Sequence, residues 1–433
     1  MQLHTYGHAC LLLENSSGES LLATDPWLFG SSYWRSWWLQ NPPTDTQIAR
    51  IAESRYLYLT HEHPDHLHLP SLRRIGSHPQ ILMPDFLCMS MDQHLIKMGY
   101  SVRRLRSHTW EHLEEGVQVM ALPQWNNDSV LLINTPQALI VNLNDAKPQS
   151  HVLDEIATLK THLNKPLILL RSYSPAGPFF NYFREGKRTP QMTLDGYVRK
   201  VNSVCRRLKA DLYIPFASQV VMRRADSSWA NEYKVTYPDL EKGWNCKTQL
   251  CKPFSTVALS SLTMTDRTPV LSDAQEQEEW KEKIADEEMR NQRETLTEKD
   301  IKKLRSTLNR CRWLIAGIMP QGIGITSAGR RFLYRPISGR LIECETLGAC
   351  TLEIPVAALK DALNYGHFGD LCITMFVPIH LHGKTTARRV DIIWMLMILA
   401  DYGYADKPAS LIRWLLWARK TMRATTLPIP TGS

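Results

Sequence analysis

The chain has 433 residues, 43% hydrophobic and 22% charged, with a formal net charge of +8. That length holds two or three domains with ample core, and the composition is that of an ordinary soluble globular protein. Basic residues are interleaved with acidic ones, which excludes a nucleic-acid footprint and leaves room for an anionic substrate or a loose contact with an anionic surface.

Residues 10–13 and 20–23 read as strands joined by the turn cluster Asn15-Ser16-Ser17-Gly18. Asp25-Pro26 ends the second strand. Six aromatics follow between Trp27 and Trp38. Gly30, Ser31, Ser32, Arg35 and Ser36 interrupt them, so the stretch reads either as a core segment or as a loop beside a pocket. A short helix over 49–54 and a strand over 56–59 lead into a cluster of histidines. Beyond it come a helix over 69–75, strands over 80–84 and 100–105 around a helix over 89–98, and a strand over 116–122. Paired strands over 129–133 and 138–143 end at Asn144-Asp145. A helix over 152–163, a strand over 166–170, an amphipathic helix over 197–208 and a strand over 212–214 complete an α/β pattern.

The composition then changes. Residues 274–303 are dense in Glu, Lys, Gln and Arg, which predicts one or two solvent-exposed helices acting as a linker or brace. Past residue 310 the pattern is α+β: strands over 331–334, 340–345 and 350–354, a helix over 356–364, and two apolar helices over 390–401 and 410–422. The last helix sets Trp414, Leu415 and Trp417 beside Arg413, Arg419, Lys420 and Arg423. Contact with a membrane surface is open to such a helix; packing on the main domain is the commoner use. The expected division is 1–270, a linker over 271–310, and a smaller C-terminal unit over 311–433. Nine cysteines without a CxxC pair predict reduced thiols and a cytoplasmic location. The start has no signal pattern, and the longest apolar run, 392–400, is shorter than the roughly 20 residues that span a bilayer.

The chemistry is concentrated in His61-Glu62-His63-Pro64-Asp65-His66. His61 and His63, two apart at a strand end, present both rings on one face and can grip one metal ion. Asp65 and His66, at the start of a helix, point to a neighbouring position for a second. Imidazoles with a carboxylate suit zinc or iron and leave room for a water whose pKa falls toward neutrality.

This hexapeptide resembles the signature of the metallo-β-lactamase fold superfamily. Gly7-His8-Ala9-Cys10-Leu11-Leu12-Leu13-Glu14 and Thr24-Asp25-Pro26-Trp27 resemble the opening strands of its lactonase-like and phospholipase-D-like branch. Leu143-Asn144-Asp145 is similar to the strand end that carries that family's bridging aspartate. Thr24 to Gly30, Trp37-Trp38-Leu39, Asn142 to Asp145 and Pro215-Phe216-Ala217-Ser218 resemble the metallo-β-lactamase-like part of the CMP-N-acetylneuraminate hydroxylases, and Gly366-His367-Phe368-Gly369-Asp370-Leu371 does so more loosely. The resemblance implies an αββα sandwich holding one or two ions of zinc or iron on His61, His63, Asp65, His66 and Asp145. It departs from the family at two places. No histidine follows Ala121-Leu122-Pro123, where Asn126 or Asp128 stands near the expected position, and none follows residues 212–214. Asp128 is the candidate to compensate. The Cys-x-His and Cys-x-x-His pairs of a Rieske cluster do not occur in this sequence.

The expected function is that of a metallo-hydrolase using metal-bound hydroxide on an anionic or sugar-like small molecule, with Asp65 orienting the water or acting as base. One alternative is an iron-dependent, hydroxylase-like oxidoreductase served by a separate redox partner. Another is a non-catalytic binding protein with a degenerate metal site. Asp25 either orients a ligating histidine from behind or is a turn aspartate. His8 and His68 either line the site or, more commonly for such residues, are packed histidines. His108, His112 and His367 are distant candidates that no spacing supports. Trp27 and Arg35 are assigned to the substrate, and the turn-rich loop 172–178 to a pocket wall. Arg103, Arg104 and Arg106 read as a solvated strand edge.

Overall fold

Leu11 and Leu13 point to one side of their strand and Cys10 and Leu12 to the other, each pair into a different core. This period-two alternation recurs in the opposing sheet, where Leu131 and Ile133 face one core and Val130 and Leu132 another. The computed structural model describes residues 1–88, 90–267, 273–423 and 426–430. Met89 at the head of the expected 89–98 helix, residues 268–272 at the start of the charged stretch, and 424–425 and 431–433 in the C-terminal unit lie outside the described residues.

Eight strands form the first sheet, in the order Thr263–Asp266, Ser255–Ala258, Gln2–Tyr6, Cys10–Glu14, Ser20–Thr24, Tyr56–Tyr58, Gln80–Pro84, Val102–Leu105. Seven form the second: Gln249–Leu250, Leu212–Phe216, Leu167–Ser172, Leu139–Asn144, Ser129–Asn134, Gln118–Pro123, Glu111–His112. Their inner faces meet in an apolar core of Leu3, Leu11, Leu13, Val119, Leu131, Ile140, Ile168 and Ile214. Burial of each such aliphatic side chain contributes about 1.5–3 kcal/mol. The outer face of the first sheet packs on helices Asp45–Ala52 and Leu69–Ile75 through Ile48, Ile51 and Leu72. That of the second packs on helices Ser150–Leu163 and Leu194–Leu208 through Ile156, Val201 and Cys205. The layers run helix, sheet, sheet, helix.

Strands Ser20–Thr24, Tyr56–Tyr58, Gln80–Pro84 and Val102–Leu105 are parallel. So are Leu139–Asn144, Leu167–Ser172 and Leu212–Phe216. Parallel strands end at a common edge, where an α/β sheet places its ligands. Asp25, the motif from His61 onward and Asp145 all follow such ends.

A third sheet of seven strands runs Lys187–Arg188, Tyr182–Arg184, Ile379–Leu381, Cys350–Glu353, Ile323–Ser327, Arg330–Arg335, Arg340–Glu343. Its first two strands come from the middle of the chain, Tyr182 pairing with Ile379. The charged stretch forms helices Asp273–Arg293 and Glu298–Arg310. The second is not wholly solvated, because Leu304 and Leu308, one turn apart, are buried in the core under the third sheet. The C-terminal unit lies against the motif loop, where the rings of Tyr402 and His63 are 6.2 Å apart, and against the turn before strand Ser129–Asn134, where Tyr404 O–H donates to Asn127 Oδ1 at 2.5 Å. All nine cysteines are free thiols. Among the described residues no helix is long and apolar enough to cross a membrane.

Candidate metal centre

His8 sits in the tight turn between strands Gln2–Tyr6 and Cys10–Glu14. Gly7 makes that turn at φ +52°, and a Cβ there would lie 2.6 Å from the Trp27 carbonyl oxygen. Only glycine lets the turn close this tightly and aim His8 inward. Asp25, Asn144 and Ala217 also hold positive φ, at 37°, 36° and 44°. Asp25 and Asn144 each adjoin or supply the site from a strand end. The loop after Asp25 carries three successive residues in the left-handed region, Tyr33, Trp34 and Arg35, an arrangement that costs free energy in bulky residues and clusters at functional sites. It delivers the Tyr33 hydroxyl to Asp65 Oδ1 at 2.8 Å. A bulge between Asn142 and Asn144 re-aims the chain ahead of Asp145.

Four side chains from four places in the sequence converge. His8, Asp65, His66 and Asp145 each offer a ligand atom, and these atoms lie within 4.8 Å of one another. His8 Nε2 is 3.3 Å from Asp65 Oδ2, and His66 Nε2 is 3.4 Å from Asp145 Oδ2. On its other side His66 Nδ1 meets Asp25 Oδ2 at 2.9 Å, while Asp25 accepts hydrogen bonds from the Thr60 N–H and hydroxyl at 2.8 and 2.7 Å. Beside this group, His61 Nε2 and His63 Nδ1 approach to 2.8 Å, and the His61 and His66 rings are 4.2 Å apart.

The residues fit a metal ion. His8 Nδ1 is buried without a hydrogen-bond partner, and Nε2 of His8 and of His66 have only the long carboxylate contacts of Asp65 and Asp145, at 3.3 and 3.4 Å, a state that costs free energy unless something else satisfies them. Three carboxylates, Asp25, Asp65 and Asp145, lie within 4 Å of the single His66 ring. Burial alone would deprotonate that ring, but Asp65 and Asp25 hold its pKa well above the ordinary value. Burial would raise the Asp65 carboxyl, yet His66, His8 and His63 pull it well below the carboxylate range. His61 is held neutral by burial and by its imidazole neighbours His66 and His63, which is the ligating form. The pocket therefore carries more negative charge than one imidazolium offsets, and a cation matches it.

The expected residues fall into distinct places. Asp65, His66 and Asp145 join the converging group, and His61 and His63 pair with each other. Asp128 does not converge with the four. It meets His61 at Nδ1, 3.6 Å away and on the opposite side of the ring from His63, and it accepts from the Ser129 N–H at 2.7 Å. That position braces His61 from behind. The two segments that lack histidines do structural work: the Ser218 hydroxyl accepts from the N–H groups of Tyr173 and Ser174, and Gln124 bonds the Leu122 carbonyl.

Trp27 and Arg35 both make contacts within the protein. Trp27 is fully buried with its ring 5.6 Å from His8, and Arg35 donates to the Lys283 carbonyl. The aromatic stretch is chiefly core: Trp27, Tyr33 and Trp37 pack with Phe180, Val220 and Met375. His68 caps helix Leu69–Ile75, its ring accepting from the Ser71 N–H. His112 lies on an outer strand against Gln118, and the His108 N–H bonds the Ala121 carbonyl. His367 lies nearer the site, its ring 6.2 Å from that of Tyr402.

His8 and His68 were alike in the sequence, each either lining the site or packed, and of the two only His8 joins the converging group. Lys234 gave no signal at all. It lines a narrow cleft with His8, Asp145, Trp37 and the loop Ser174-Pro175-Ala176, so the turn-rich loop does form a wall.

Helix-sheet-sheet-helix layering, with HxHxDH following a parallel strand and an aspartate at the end of the facing sheet's strand, is decisive for the architecture. The chain has the αββα layering that its resemblance to the metallo-β-lactamase superfamily implies. No family model matches it. The cytidine monophosphate-N-acetylneuraminic acid hydroxylase of Asterias rubens is 38% identical over 76 residues, 18% of this chain and 11% of that protein. The inactive cytidine monophosphate-N-acetylneuraminic acid hydroxylase of Homo sapiens is 34% identical over 82 residues, 19% of this chain and 16% of that protein. The chain thus matches only a small part of these curated relatives' length. An isothiocyanate hydrolase from Delia radicum gut bacteria overlays with a TM-score of 0.43 and 13% identity, covering 60% of this chain and 99% of that one.

Proposed function

We propose that this metallo-β-lactamase-fold chain is a metal-dependent hydrolase of a small anionic, sugar-like substrate. The observation that carries the reading is the convergence of two buried imidazoles, His8 and His66, on the two carboxylates of Asp65 and Asp145, with all four ligand atoms within 4.8 Å of one another. A zinc or iron ion held there would activate water near neutral pH and polarise a substrate oxygen. His66 is held in register by Asp25, which fixes the ring and leaves Nε2 for the ion. Asp65, kept ionised by its imidazole neighbours and steadied by Tyr33, is the group that orients the attacking water or takes its proton. Asp145, with a side chain 32% exposed, opens the centre toward the cleft. Lys234 supports an anionic substrate: burial lowers its ammonium to about 8, with no carboxylate among the causes. The ammonium donates to the Val220 carbonyl and is paired with no carboxylate there, so its remaining N–H groups suit an anionic substrate group at the cleft it lines.

A second reading, an iron-dependent hydroxylation with electrons from a separate partner, is favoured by the donor set of two imidazoles and two carboxylates and by the similarity to the hydroxylases. Metal analysis of anaerobically purified protein, followed by assays on anionic sugar esters and phosphoesters, tests both. Bound metal with hydrolysis supports the first reading. Bound iron without hydrolysis, and with reductant-dependent oxygen uptake, supports the second. Absence of metal would leave a binding protein with a degenerate centre.

A further inference from the structure

The last helix, Pro408–Thr421, has two unlike faces. One packs inward: Trp414 is buried, its indole N–H donates to the Trp125 carbonyl at 3.0 Å, and Ser410 and Ala418 are buried with it. The opposite face presents Ile412, Leu415 and Leu416 to solvent, 58%, 52% and 64% exposed. Three large aliphatic side chains grouped on one face is not the scatter of single apolar residues found on ordinary surfaces. The charge around them is one-sided. Between Lys407 and Arg423 the sequence holds five basic residues and no acidic one. At helical spacing, Arg413 and Lys420 flank the aliphatic stripe on one side, and Arg419 follows Leu415 by one turn.

We propose that this face docks on an anionic phospholipid surface. The aliphatic stripe enters the boundary between headgroups and acyl chains, and the flanking cations meet lipid phosphates and carboxylates. The helix has 14 residues, too few to cross a bilayer, so it lies in the plane of the surface. Charge complementarity selects this occupant. A second copy would bring an equally basic face against the first, and like charges oppose that contact. The long stems of Arg413, Arg419 and Lys420 let the charged ends reach the headgroups while the aliphatics are immersed.

Co-sedimentation of the full chain with vesicles tests this. With about 30% phosphatidylserine in phosphatidylcholine the chain should pellet, and with phosphatidylcholine alone binding should fall at least about tenfold. Arg413→Gln, Arg419→Gln and Lys420→Gln together should weaken binding about 100-fold, taking roughly fivefold per cation at an anionic surface. Ile412→Ser, Leu415→Ser and Leu416→Ser together should remove binding while the thermal melt shifts little, since these side chains are more exposed than buried. Failure to pellet with phosphatidylserine vesicles would overturn the proposal, as would binding that survives both triple variants. It would also be overturned if light scattering showed a dimer in solution that the serine variant dissociates.

Discussion

Asp25 Oδ2 lies 2.9 Å from His66 Nδ1, although the two residues are 41 positions apart. The contact fixes which ring nitrogen is left free, and that nitrogen faces Asp145. A carboxylate behind a ligating imidazole both orients the ring and makes it a better donor. Asp25→Asn keeps the shape and removes the charge. Metal affinity should fall about 10- to 100-fold, read by competition with a chromogenic chelator. Unchanged affinity would mean that Asp25 serves only the Thr60 turn.

Lys234 lines the cleft beside His8 and Asp145. Lys234→Met removes an ammonium that burial already disfavours but also the donor to the Val220 carbonyl, so the melting temperature should change little. KM for an anionic substrate should rise about tenfold or more, with kcat changed much less, because the lost contact binds ground state and transition state alike. A fall in kcat at constant KM would place Lys234 in the chemistry instead.

The sandwich was legible because its signal is local. Alternation in Cys10–Glu14, Ser129–Asn134 and Leu139–Asn144 names the core residues directly, and the motif at His61 to His66 announces its own chemistry. Other features depend on contacts that no local pattern encodes. His8 reaches the centre only because the first hairpin lies in the same sheet as strand Tyr56–Tyr58, with Ser20–Thr24 between them. Strand Tyr182–Arg184 finds its partner, Ile379–Leu381, nearly two hundred residues later. The seam formed by Leu304 and Leu308 is two residues in a run whose composition reads as solvated. The sequence shows that Trp27 is aromatic but not that it is fully buried beside His8.

Asp401 gives a pH test away from the centre. Its carboxylate accepts the Gly369 N–H at 2.6 Å and pairs with Arg310. Burial outweighs Arg310 and raises its pKa from 3.8 to about 6. The folded state therefore holds this proton more tightly than the unfolded chain. The stability that follows is fully present below 3.8 and is lost as pH rises through about 6. Asp401→Asn cannot titrate. The stability difference between wild type and variant, from urea unfolding, should shrink as pH rises across that window. A constant difference would contradict the assignment.

The central claim is that His8 completes a metal centre with Asp65, His66 and Asp145. Elemental analysis of anaerobically purified wild type and His8→Ala, with His112→Ala as a control on an outer strand, tests it most directly. Wild type and control should each hold at least one equivalent of zinc or iron. His8→Ala should lose that ion, or bind it about 100-fold more weakly. Equal metal content and affinity in His8→Ala and wild type would contradict the account.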